Sequence, residues 1–228
     1  MVKEGFPFVL GSILFAAVFV VLYLTVGGLV FLLALLAFIV LAVFMAYFFR
    51  DPRRTIPNAD GIVVSAADGR VTRVEENENG KIVSVFLSPF DVHINRSPIA
   101  GRVTKVEYIR GKKNPATSNE ASLINERNSL TIEGEKMTVV VTQIAGIVAR
   151  RIVCWSKQGD ALALGEKFGL IKFSSRTDLL MPKTVEIMVK IGDRVVGGET
   201  IIGRLAEYGT AADASAQYPA TEQQTDAL

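Results

Sequence analysis

The chain is poor in the residues that build many kinds of site. It has one cysteine, Cys154, and one histidine, His93, in 228 residues. A single cysteine excludes an intramolecular disulfide and a cysteine-rich metal site, and it fits a reducing, cytosol-facing compartment. A single histidine excludes a multi-histidine metal site, so no metal is expected. The formal net charge is only +2, which gives no electrostatic footprint for nucleic acid. Charge is also absent locally: from Phe6 to Phe49 there is no Asp, Glu, Lys or Arg.

That uncharged run accounts for much of the 50% hydrophobic content. One bilayer crossing takes roughly 20 residues, so the run is about two crossings long. Gly27-Gly28 lies at its middle, where a tight turn is favoured and a helix is not. The pattern predicts a transmembrane helical hairpin, about 7–26 and 29–49, within an anchor spanning residues 1–55. A cleaved signal peptide has a much shorter apolar region and a small-residue cleavage site. Lys3 precedes the first helix, and Arg50, Arg53 and Arg54 follow the second. The positive-inside rule puts both ends, and the domain that follows, on the cytoplasmic side of the cell membrane. Tyr47, Phe48 and Phe49 suit the interface, and the arginines suit anionic headgroups.

Residues 56–207 read as a mainly β domain. Short runs rich in Val, Ile and Thr recur: 62–65, 70–75, 81–87, 101–109, 129–132, 137–143, 147–155, 169–173, 184–191 and 199–204. Turn residues separate them, among them Asp68-Gly69, Glu78-Asn79-Gly80 and Gly197-Gly198. The spacing predicts a compact sandwich or barrel. The stretch from Val185 to Gly203 resembles the second half of a lipoyl- or biotinyl-type hammerhead sandwich, with Lys183 read as an exposed turn residue rather than a modified carrier lysine. Residues 208–228 have no periodicity and read as a disordered tail. Arg102, Lys105, Arg110, Lys112 and Lys113 form a second basic group, suited either to anionic lipid or to a solvated face.

Four segments carry candidate chemistry. They are Ser65 to Val71, containing Asp68; Phe86 to Gly101, containing His93; Asn125-Glu126-Arg127-Asn128; and the run from Phe168 to Asp178, an apolar strand that stops at Ser174-Ser175 and then turns charged. Taken alone, Asp68 is an ordinary turn residue, His93 is as readily a structural histidine, and two serines end many strands. Together, and in this order, the segments resemble the phosphatidylserine decarboxylase proenzymes, specifically their short prokaryotic class, which includes archaetidylserine decarboxylases. The resemblance runs from about residue 45 to 205. It rests on Phe48-Phe49-Arg50-Asp51-Pro52-Arg53-Arg54, Ala67-Asp68-Gly69, Ser88-Pro89 with Asp91-Val92-His93, Asn125 to Asn128, and the serine run.

The resemblance implies a lyase that makes its own electron sink. Decarboxylating an α-amino acid leaves a carbanion, for which pyridoxal phosphate is the usual sink. This family instead converts a serine into a covalent pyruvoyl group, with no pyridoxal phosphate. Cleavage between Ser174 and Ser175 would leave a β chain of residues 1–174 and an α chain of residues 175–228. The pyruvoyl ketone at 175 would form a Schiff base with the substrate amine. The product of phosphatidylserine would be phosphatidylethanolamine and carbon dioxide. Catalytic roles are carried over to Ser175, His93 and Asp68, an Asp–His–Ser set that activates the hydroxyl in longer relatives.

Two residues depart from the family pattern. Arg96 stands where longer relatives carry a second histidine, so His93 serves processing, decarboxylation or both, or another base acts. Ser174 stands where the family usually has glycine, which would distort the scissile peptide more easily. Asn125 to Asn128 is read as a polar core under the site with no catalytic role. The expected partners are the membrane phospholipid, the two chains of the cut protein and further copies in a homo-oligomer. The competing reading is a processing-dead, membrane-tethered β-sandwich acting as an interaction or carrier module.

Overall fold

A computed structural model describes residues 1–112, 114, 124–146, 151–173 and 175–206. The expected tail at 208–228, Lys113, Ser174 and the start of the run at 147–155 lie outside the described residues.

After a short 3-10 turn at Lys3–Gly5, the chain forms two helices, α1 (Phe6–Val26) and α2 (Leu29–Phe48). Pro7 sits in the first turn of α1, where its missing N–H matters least. Gly27 and Gly28 join the helices at φ 73° and 99°, a region that side chains disfavour. The helices lie against each other through Phe38, whose ring stacks on Phe15 and Phe19 at 5.2 and 5.5 Å. Most of their apolar side chains face outward, and both helices are long and apolar enough to cross a membrane.

The body is mainly β. Its first strands are β1 (Ile62–Val64), β2 (Gly69–Asn77), β3 (Gly80–Leu87), β4 (Ile94–Arg96) and β5 (Gly101–Ile109). They are followed by β6 (Arg127–Glu133), β7 (Thr138–Ala145), β8 (Arg151–Cys154), β9 (Ala161–Leu162) and β10 (Lys167–Lys172). The last are β11 (Ser175–Met181), β12 (Val185–Ile187), β13 (Arg194–Val195) and β14 (Ile201–Leu205). Eight strands form one curled half-barrel sheet in the order β13-β2-β3-β11-β7-β6-β5-β9. Two three-stranded sheets, β4-β10-β8 and β1-β14-β12, complete the body. The stretch 185–203 forms β12 and the start of β14, with β13 between them in sequence but in the large sheet, and Lys183 lies exposed in a turn.

The apolar strand ends before the serines, as the sequence reading has it, with β10 closing at Lys172, but a further strand absent from that reading, β11, begins at Ser175. Charge does not stop it, because Arg176 and Asp178 lie two residues apart on one face and pair with each other at 2.9 Å. The other face carries Ser175, Thr177, Leu179 and Met181 into the core.

Register then stacks that core in layers. Leu179 lies opposite Val83 on β3 and Val141 on β7, all buried. One step nearer the start of β11, Thr177 lies opposite Gln143, and Gln143 opposite Asn128. This layer is polar and fully buried. Asn95 on β4 closes it, donating to Thr177 Oγ1 (2.9 Å) and accepting from Gln143 Nε2 (2.9 Å), while Asn128 donates to Gln143 Oε1 (3.0 Å). Gly169 on β10 allows the close approach, since a Cβ there would strike the Val153 carbonyl and lie 3.0 Å from Gln143 Nε2. Removing one member of such a buried chain strands its neighbours. Gln143→Leu should therefore lower stability by about 2–5 kcal/mol, read as a reduced denaturation midpoint of the detergent-solubilised protein, whereas Ser129→Ala on the opposite face should cost about 1 kcal/mol or less.

Candidate active site

Ser175 is the first residue of β11 and is fully buried. Its backbone is held on both sides, opposite Leu87 of β3 and Ala145 of β7. The Ala145 end is fixed in turn by the Asn125-Glu126 segment. Asn125 Nδ2 donates to the Ala145 carbonyl (2.8 Å), and the Ala145 amide donates to the Glu126 carbonyl (2.9 Å). Asn125 to Asn128 is thus a scaffold: one end braces the strand opposite Ser175 and the other joins the polar layer below it. The Ser175 hydroxyl itself has no hydrogen-bond partner among the described residues. A buried hydroxyl left unpaired costs about 1–3 kcal/mol, so its isolation points to function rather than to packing.

His93 precedes β4 and follows a turn built by Asp91, which accepts from the Ser88 amide (2.8 Å) and hydroxyl (2.6 Å). The Ile171 amide donates to the His93 carbonyl (3.2 Å), so the residue lies beside β10, the strand that leads to the serines. Its Nδ1 lies 2.9 Å from the Asp91 carbonyl. A carbonyl only accepts, so Nδ1 carries the proton and Nε2 presents its lone pair. That Nε2 is buried without a partner among the described residues. Burial pushes the imidazole pKa down to about 4; the Arg50 charge adds to this, and the bond to Asp91 opposes it. The ring is therefore a neutral acceptor at pH 7.

An aromatic wedge packs against this acceptor. Phe48, the last residue of α2, lies 4.2 Å from the His93 ring and 4.6 Å from the Phe173 ring, centroid to centroid. Phe173 has φ 65°, the left-handed region, and is the one non-glycine residue there among those described. An aromatic residue held so costs about 1–3 kcal/mol, and such strain concentrates at functional sites. Phe173 lies two residues before Ser175.

Asp68, between β1 and β2, is held differently. Arg54 Nη2 donates to both of its oxygens (2.9 and 2.7 Å), and the Gly197 amide donates to Oδ1 (2.8 Å). Burial nonetheless raises its pKa, with Gly197 and Arg54 pulling the other way. Arg96 donates to the Gly165 carbonyl (2.9 Å) and pairs with Asp51 (3.6 Å), which also pairs with Lys167 (2.7 Å). Asp68 bonds to neither His93 nor Ser175, and His93 and Ser175 are not bonded to each other. The fold brings His93 and the segment before Ser175 together against Phe48, and places Asp68 in an ion-pair cluster with the residues that follow α2. In the second basic group, Lys105 pairs with Glu107 (2.8 Å) and Arg102 donates to the Gly159 carbonyl (2.6 Å). Among the described residues no three His, Cys, Asp or Glu side chains are grouped to hold a metal.

Sequence reasoning missed Phe48, Arg54, Gln143 and Thr177 as parts of this site. The traces were slight. Gln143 is a polar residue in an apolar strand, and Asn95 sits two residues after His93, where the two-residue strand period repeats a face.

The model of the family described as phosphatidylserine decarboxylase matches residues 41–203. A relative from Symbiobacterium thermophilum, named phosphatidylserine decarboxylase proenzyme, is 46% identical over 215 residues, covering 90% of this chain and 95% of that protein. One of the same name from Geobacter metallireducens is 41% identical over 209 residues, covering 89% and 95%. Most of the length of both relatives is matched, including the segments that hold Asp68, His93 and Ser175, and the chain belongs to the phosphatidylserine decarboxylase family.

Proposed function

We propose that this protein is a membrane-anchored proenzyme that cuts itself between Ser174 and Ser175 and then decarboxylates phosphatidylserine to phosphatidylethanolamine and carbon dioxide. The observation that carries this reading is the buried, unpartnered Ser175 hydroxyl at the start of a strand fixed on both sides. In the first step Ser175 Oγ adds to the carbonyl carbon of Ser174. The C–O bond forms, the peptide C–N bond breaks, and the hydroxyl proton passes to the released amine. Loss of the Ser175 α-proton then expels the Ser174 carboxylate from Cβ, which cuts the chain. Water hydrolyses the resulting enamine, through its imine, to a ketone and ammonia.

The residues present fit a pyruvoyl group at position 175. Leu87 and Ala145 lie opposite Ser175 in register, and among the described residues no hydrogen bond claims its Oγ. When formed, that group supplies the electron sink for decarboxylation. His93 offers a neutral, bare Nε2 to hold a proton, and its tautomer is fixed by Asp91. Asp68 orders the loop between β1 and β2 and ties it to Arg54. Residues 1–55 form the anchor and 56–207 the catalytic domain, with the basic residues at both ends of the hairpin favouring a cytoplasmic orientation. An open groove at the foot of α2 is lined by charges of both signs, Asp51, Arg53, Arg54, Arg96, Glu166 and Lys167 among them.

Denaturing intact-mass measurement of the purified protein should give two chains, the smaller beginning at position 175 with a blocked end. Ser175→Ala should give one full-length chain and no activity. A single full-length chain from the unaltered protein would sink the reading. Hydroxylamine should inhibit the cut enzyme, and removing pyridoxal phosphate should leave it unchanged.

The pH dependence of His93 has a defined sign. Its folded-state pKa lies below the ordinary 6.5, so the fold favours the neutral ring. That stability is complete above pH 6.5 and is lost as pH falls through the window down to about 4, on the order of 3 kcal/mol in all. His93→Gln should flatten this part of the stability profile. In the unaltered protein the acid limb of the cleavage rate should fall near pH 4–5, and a limb at pH 6.5 would rule out the buried neutral imidazole as its source.

A further inference from the structure

We propose that Phe48, at the membrane exit of α2, is a positioning residue of the self-processing site: its ring, stacked on Phe173 and packed on His93, holds the segment before the cut in its left-handed turn. The inference rests on the reading of Ser175 as the processed residue.

Phe48 is unlike the rest of its helix. It is the one fully buried residue of α2, 1% exposed, while most of its apolar neighbours face outward. Two rings meet it from opposite segments of the site. Phe173 stacks on it with 27° between planes, and the His93 ring tilts against it at 34°. The first contact bears on backbone geometry. Phe173 is held at φ 65°, which its own side chain opposes, so something outside the segment must hold it. A flat ring stacked at 4.6 Å is the contact positioned to do so. The second contact keeps water from the imidazole.

The wedge is itself braced from the other end of the hairpin. The Val2 amide donates to the Phe49 carbonyl (3.0 Å), and Phe49 stacks on Phe8 (5.4 Å). Trp155 Nε1 donates to Glu4 (2.8 Å), and the Lys172 ammonium lies 5.3 Å from the Phe8 ring centroid. Both feet of the membrane hairpin therefore grip the sheet that delivers Phe173. The anchor belongs to the processing apparatus as well as to the bilayer attachment.

The test is the rate of appearance of the 175–228 chain when full-length protein is synthesised into lipid nanodiscs, read by denaturing mass spectrometry alongside the melting temperature. Phe48→Leu keeps the apolar bulk and loses the flat ring. It should slow cleavage at least tenfold with a melting temperature close to that of the unaltered protein, and Phe48→Tyr should restore the rate to within about threefold. Phe38→Leu removes a stacked ring from the middle of the hairpin and should leave cleavage unchanged. A second arm separates positioning from packing. Glycine adopts the left-handed turn without a side-chain penalty, so Phe173→Gly should make cleavage insensitive to Phe48→Leu. That arm also decides the matter if Phe48→Leu alone fails to accumulate. Cleavage of Phe48→Leu at the unaltered rate, or a Phe48→Leu/Phe173→Gly double variant as slow as Phe48→Leu, would overturn the inference while leaving Ser175 as the processed residue. An unaltered protein that stays uncut would overturn both.

Discussion

The backbone at Ser175 is committed on both edges. Leu87 lies across it on one side and Ala145 on the other, and the β11 ladder continues from there along two full strands. A residue so held cannot drift to find a hydrogen-bond partner for its hydroxyl, and the described residues provide none. The adjustable part of the site is therefore the chain that arrives from β10. That chain turns through a left-handed Phe173, and the turn is stabilised by an aromatic stack from outside the domain's own strands. The polar layer of Thr177, Gln143, Asn128 and Asn95 lies one step below and has its amides paired. It fixes the floor of the site without competing for the serine.

Charge is kept apart from this pocket. His93 is neutral because it is buried among rings, with its proton fixed on the nitrogen facing Asp91. The guanidinium groups and carboxylates gather instead along the segment that follows α2: Arg54 with Asp68, and Asp51 with Arg96 and Lys167. Arg50 joins the same seam by donating to the Phe90 carbonyl (2.8 Å) while covering the Tyr47 ring. In a low-dielectric interior an unpaired charge is costly and a paired one is tolerated. The run from Phe48 to Arg54 therefore does more than set topology. It ties the anchor to the His93 turn, to the Asp68 loop and to β10. Arg96, standing where longer relatives have a second histidine, is spent on this seam and donates to the Gly165 carbonyl.

Much of this was legible in the sequence, for local reasons. A long uncharged run interrupted by two glycines can only be satisfied by helices, and turn residues at short intervals mark β-strands wherever side chains alternate. The omission of β11 has an equally local cause. Arg176 and Asp178 make the residues after the serines look like a loop because a charged residue normally leaves the core, yet they neutralise each other across one face. Their pairing follows from the two-residue period, but their burial depends on what covers that face.

The sequence by itself determined the apolar helical hairpin, the β class of the body and the order of segments that carries family membership. Ser175, His93 and Asp68 were candidates only through the resemblance to the family, since each taken alone is an ordinary residue of its segment. Only the tertiary structure decided which groups meet. It set the tautomer and pairing of His93, gave Asp68 to Arg54, joined Gln143 to Asn95 across 48 positions and brought the last residue of α2 against Phe173. Contacts between residues far apart in the chain are fixed by strand register and by the packing of one sheet on another, and neither leaves a periodic trace in the sequence.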